Sequence, residues 1–82
     1  MLNQIKQIHK QATIRKGVLY LRKVKGKDFE RIAELWPGSI NCKRIKGFVN
    51  INTDNCIVNI HKCTGTLTGN LTNVNLPLNY QS

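Results

Sequence analysis

IKGFVNINTDNCIVNIH, residues 45–61, alternates in side-chain character on either side of a polar centre. Ile45, Gly47, Val49 and Ile51 share one parity, and Lys46, Phe48 and Asn50 the other. Beyond Thr53-Asp54-Asn55, Cys56, Val58 and Ile60 alternate with Ile57, Asn59 and His61. A period of two sends successive side chains to opposite faces of a strand, and Thr-Asp-Asn is turn chemistry. The stretch therefore predicts an antiparallel hairpin.

Toward the C-terminus, Thr64-Gly65 predicts a second reversal into a strand through Leu67 and Leu71. Val74, Leu76 and Leu78 lie on the other parity, which implies a bulge or break near Thr72-Asn73. Eight Asn and five Thr among the last 36 residues suit exposed sheet faces and turns. Stacked solenoid rungs are an alternative for this tail, but two or three irregular units are too few to constitute a repeat.

Toward the N-terminus, Phe29, Ile32, Ala33 and Trp36 fall on one face of a helix over residues 28–36, with Glu30, Arg31 and Glu34 outside. Asp28 is placed to cap its start, Pro37-Gly38 stops it, and Lys25-Gly26-Lys27 reads as a turn before it. Residues 14–24 are rich in β-branched and aromatic side chains, and Gly17 disfavours the alternative helix. As one strand, they place Lys16, Val18, Tyr20 and Arg22 on the same face. Residues 2–12 have apolar spacings of three and four, suited to a short amphipathic helix. The expectation is a small single α+β domain over residues 1–82: helix–strand–helix followed by an antiparallel β meander. Residues 1–46 form its basic α/β part and residues 47–82 its neutral Asn/Thr-rich β part.

Charge carries the functional reading. Residues 1–46 hold twelve of the thirteen Lys and Arg against Asp28, Glu30 and Glu34, a net +9; the rest holds only Asp54 and Lys62. Such a field favours polyanions. The expected nucleic-acid-binding residues are Arg15, Lys16, Arg22, Lys23, Lys25, Lys27, Lys43, Arg44 and Lys46, with Tyr20 available to stack on an unpaired base. RNA or single strands are preferred over duplex DNA, because no recognition helix stands out and the cations fall on strands and turns. The alternative partner is an acidic protein surface, met by an interaction, inhibitor or assembly protein whose β tail also offers an edge for self-association.

Other chemistry is thinly supplied. Four carboxylates, three of them on one short helix, give no convergent acid–base pair, so no catalytic residue or enzyme activity is expected. Cys42, Cys56, His61 and Cys63 are ligand types that zinc accepts, but no Cys-x-x-Cys knuckle is present, and neither metal nor cofactor is expected. No apolar run is long enough to span a bilayer. Three cysteines and no secretory pattern lead to the expectation of an intracellular protein, cytoplasmic or nuclear, with reduced thiols. The acid-free first 27 residues fit an organelle presequence in part, although they contain only two Arg and no Ser.

Gly26-Lys27-Asp28-Phe29, then Ile32-Ala33, then Pro37-Gly38 locally resembles the second helix of SANT and Myb modules. The resemblance implies that Phe29 stands for the core tryptophan and that residues 42–48 form a third, DNA-facing helix. The chain lacks the acidic first helix and the Arg-Thr after Pro37-Gly38, so membership is not assigned.

Overall fold

The computed structural model describes residues 2–52 and 57–77. Their order is α1 (Leu2–Ile8), β1 (Thr13–Arg15), β2 (Val18–Lys25), α2 (Gly26–Leu35), β3 (Ile40–Lys46), β4 (Phe48–Ile51), β5 (Val58–Ile60), β6 (Thr66–Gly69) and β7 (Val74–Asn75). One sheet runs β1-β2-β3-β5-β7, and a second holds β4 and β6. Only β1–β2 is antiparallel; β2–β3, β3–β5, β5–β7 and β4–β6 are all parallel.

The antiparallel meander is thus corrected. The alternation in residues 45–51 is real, but Gly47, at φ 87°, divides it between two sheets. β4 does not turn back to pair with β5. Instead, the paired residues of β3 and β4 meet the ones 18 positions later: Ile40 with Val58, Ile45 with Cys63, Phe48 with Thr66. The ladder continues through the corner, where Thr64 N–H donates to Ile45 O and Thr66 N–H to Gly47 O, both at 3.0 Å. The stacked-rung arrangement is therefore the one adopted. Gly65 lies so close to the Gly47 backbone that a Cβ on it would overlap, whereas at Gly47 it is the positive φ that favours glycine. The Thr53-Asp54-Asn55 turn, Cys56 and Leu78 lie outside the described residues.

Two further expectations change. Residues 14–24 are not one strand: Lys16 (φ 53°) and Gly17 (φ 79°) form a tight turn that folds β1 back on β2, pairing Thr13 with Tyr20 and Arg15 with Val18. Lys25-Gly26-Lys27 is not a separate turn either, since β2 runs directly into α2. The cap position is Lys25, with no side-chain capping bond, and Asp28 sits inside the first turn, where its charge faces the positive helix end. The helix stops as expected before Pro37-Gly38; Trp36 Nε1–H then closes the connection by donating to Ser39 O at 3.0 Å.

The core lies between the two sheets and the helices. Equivalent inward residues stack: Leu19 on Ile40 on Val58, Leu21 on Cys42 on Ile60, and Val49 on Leu67. Phe29 and Ile32 of α2 and Ile5 of α1 are fully buried against them. α2 packs along β4, with Gly26 against the Phe48 carbonyl, and the Glu30 carboxylate accepts the Asn50 N–H at 3.0 Å. A helix thus covers the β4 edge opposite β6, an arrangement that blocks edge pairing there.

Candidate anion-binding face

Within each rung the two-residue alternation breaks at the same place. Leu21 and Val24 on β2, Cys42 and Ile45 on β3, and Ile60 and Cys63 on a third rung (residues 58–63, β5 and the bridge that follows it) are inward pairs spaced by three. A spacing of three leaves two consecutive residues outside: Arg22-Lys23, Lys43-Arg44 and His61-Lys62. The parallel register stacks them. Lys23 is paired with Arg44, and Lys25 with Lys46. On the other side of β3, His61 N–H donates to Cys42 O and Ile45 N–H to Lys62 O, both at 3.0 Å, which sets His61 beside Lys43 and Lys62 beside Arg44.

Two transverse rows result: Arg22–Lys43–His61 and Lys23–Arg44–Lys62. These six residues line a shallow hollow of about 280 Å³ with no carboxylate among them. Neighbouring strands lie about 4.8 Å apart, and like charges directly opposite one another destabilise a sheet. Arg44 is half-buried and the other five are exposed.

A polar row flanks this hollow. Tyr20, Asn41, Asn59 and Asn75 are in register across β2, β3, β5 and β7. Asn75 Nδ2 donates to Asn59 Oδ1 at 2.6 Å, and His61 Nε2 is 2.8 Å from Asn41 Oδ1. Because the amide oxygen only accepts, the ring nitrogen is the donor in that contact. A second hollow, about 470 Å³, contains Tyr20, Gln11, Thr13 and Asn41, and shares Arg22, Lys43 and His61 with the first.

The structure brings together Tyr20, Arg22, Lys23, Lys43 and Arg44 from the expected set, with Lys25 and Lys46 adjoining. It does not bring in Arg15 and Lys16. Arg15, on β1 opposite Val18, shares the outer face of Tyr20 but lines neither hollow, whereas Lys16 is in the hairpin turn and does not share the strand face of Tyr20 and Arg22. Lys27 lies on α2 and lines a different groove, between α2 and β4. Residues 42–46 are strand, which also corrects the DNA-facing helix implied by the local Myb resemblance. His61, Lys62 and Asn41 were missed. A signal for the first two was present: LRKV (residues 21–24), CKRI (42–45) and IHKC (60–63) each set two basic or imidazole residues between two apolar ones.

The thiols and His61 part company. Cys42 points into the core and its thiol donates to Arg44 O at 3.4 Å, whereas His61 is on the outer face. Burial pushes the Cys42 thiol up to about 12, with a backbone hydrogen bond of Arg44 opposing and the Cys63 thiol adding. The Cys63 thiol donates to Gly65 O at 3.4 Å. Among the described residues no three His, Cys, Asp or Glu side chains gather to hold a metal ion, and no helix is long and apolar enough to cross a membrane. Compared with protein-family models, with curated proteins and with solved structures, the chain finds no match.

Proposed function

We propose that this protein binds nucleic acid through the cationic rows of β2, β3 and the third rung, gripping phosphates without catalysing a reaction. The observation that carries the reading is the in-register stacking of Arg22, Lys23, Lys43, Arg44 and Lys62, with no carboxylate among the described residues that line their hollow. Stacked like charges cost the free protein stability. An anion bound across the rows turns that cost into attraction, and a phosphate backbone supplies regularly spaced anions. Arg adds bidentate geometry for phosphate oxygens that Lys lacks.

RNA and single-stranded DNA are the preferred ligands, because the cations lie on an open sheet face rather than on a helix shaped for the major groove. The test is a titration of labelled single-stranded RNA, single-stranded DNA and duplex DNA at low and high salt, using the wild type and a Lys23→Glu/Lys43→Glu/Arg44→Glu variant. Wild-type binding that weakens steeply with salt and disappears in the variant supports the proposal. Absence of wild-type binding at low salt sinks it.

A second reading uses the same cations against an acidic protein surface. What favours it is the position of β7, the outermost strand of the described sheet on the side away from β1, where backbone pairing with a partner or a second copy is available. Light scattering of the free protein and the nucleic-acid titration separate the two readings.

A further inference from the structure

The two hollows meet along the row Arg22–Lys43–His61, and their chemistries differ. Among the described residues, one is lined by cations and imidazole. The other adds an aromatic ring, two amides and a hydroxyl, from Tyr20, Gln11, Asn41 and Thr13. Tyr20 is half-buried on the outer sheet face, since Leu19 and Leu21 on either side of it point into the core. Its register partners are Thr13 on β1 and Asn41 on β3, both short polar side chains that leave the ring accessible from above. The 2.8 Å contact to His61 holds Asn41 by its Oδ1 and leaves its amide hydrogens as donors toward the hollow.

We infer that the two hollows form one site for an unpaired nucleotide. The base stacks on Tyr20 with its edge toward Asn41, Gln11 and Thr13. The flanking phosphates lie on the two cationic rows. The strand therefore runs across β2, β3 and the third rung, perpendicular to the protein strands, rather than along one of them. A base inside a duplex has its faces stacked and its pairing edge occupied, so this site discriminates against duplexes by geometry. The inference rests on the proposed nucleic-acid reading of the cationic rows and deepens it by assigning a base-contacting residue.

The experiment compares a short labelled single strand with an abasic strand of the same backbone and with the duplex. Wild-type protein is expected to bind the base-bearing strand more tightly than the abasic one. Base–aromatic stacking of the usual strength corresponds to roughly 5- to 150-fold. Tyr20→Ala should bring the base-bearing strand to the abasic level and leave abasic binding unchanged; Tyr20→Phe should restore the difference. Equal wild-type affinity for base-bearing and abasic strands overturns the inference while leaving phosphate binding intact, as does a Tyr20→Ala variant that weakens both strands equally. Failure of wild type to bind either strand at low salt removes the underlying reading as well. The wild-type comparison stands even if the Tyr20→Ala variant does not fold.

Discussion

Arg44 occupies the centre of the row Lys23–Arg44–Lys62, with Lys23 on one side and Lys62 on the other. Removing its charge should stabilise the free protein. Two unit charges roughly 6 Å apart in water repel by about 0.7 kcal/mol. The Debye length of about 10 Å at 0.1 M salt reduces this to roughly 0.4 kcal/mol. Two such neighbours make the relief about 0.8 kcal/mol at 0.1 M salt, within the range measured for exposed charge pairs. For a domain of this size that corresponds to a rise in Tm of roughly 3–6 °C. Arg44 is half-buried, so its stem also packs, and a neutral replacement loses some of that contact. Arg44→Lys keeps the charge while altering the stem and serves as the reference. In thermal unfolding, Arg44→Gln should therefore melt above Arg44→Lys at low salt, and the gap should close near 1 M salt, where the Debye length falls to about 3 Å. The reasoning fails if Arg44→Gln melts below Arg44→Lys at low salt, or if the gap between them is independent of salt. Success would show that the rows store repulsion that the free protein does not relieve, as a surface kept for binding does.

Three other outcomes follow from the packing. Gly65→Ala drives a Cβ into the Gly47 backbone and should cost on the order of 1–3 kcal/mol, seen as a lower urea midpoint. Lys16→Asn converts the β1–β2 turn to Asn-Gly, which accepts two positive φ angles more readily, and should stabilise by a few tenths of a kcal/mol up to about 1 kcal/mol, with little change in nucleic-acid affinity because Lys16 lies off the cationic rows. Cys42 has its thiol raised from 9.0 to about 12 by burial, so the folded state holds this proton more tightly than the unfolded chain. Its contribution is fully present below pH 9 and is lost as pH rises from 9 toward 12, at about 1.4 kcal/mol per pH unit. Urea unfolding at pH 8 and pH 10 should show wild type losing more stability than Cys42→Val; equal losses would contradict the assignment.

Much of the local structure was legible. The apolar face of α2, its stop at Pro37-Gly38 and the alternating segments all follow from periodicity, and all are present. What alternation cannot convey is a strand's partner. The period of two states which side chains face the core, and the same inward set (Ile45, Val49, Ile51, Val58, Ile60) serves an antiparallel hairpin or a parallel stack equally well. Gly47 shares the parity of Ile45, Val49 and Ile51, so alternation alone does not mark it out, although its positive φ is where the chain passes from one sheet to the other. The β1–β2 turn was hidden because Lys16-Gly17 interrupts an otherwise continuous apolar and basic run.

The same limit explains the site. Counting charge along the chain separated a basic half from a neutral one and so left out His61 and Lys62. Stacking the third rung on β3 places them beside Lys43 and Arg44. The cations of β2 and β3 are therefore one surface where these strands pair; Arg15 shares that sheet face at its β1 edge, outside both hollows, while Lys16 lies in the β1–β2 turn and Lys27 on α2.

The salt dependence of single-strand affinity tests the central claim most directly. Each phosphate neutralised on a single strand contributes a slope of about −0.7 in log K against log salt. If Arg22, Lys23, Lys43, Arg44 and Lys62 each engage one phosphate, the slope is about −3.5, or roughly a hundred-fold loss between 50 and 200 mM salt. Replacing Lys23 and Arg44 with Gln should then reduce the slope by about 1.4. A slope near zero, or a wild-type slope that survives this double replacement, would contradict the account.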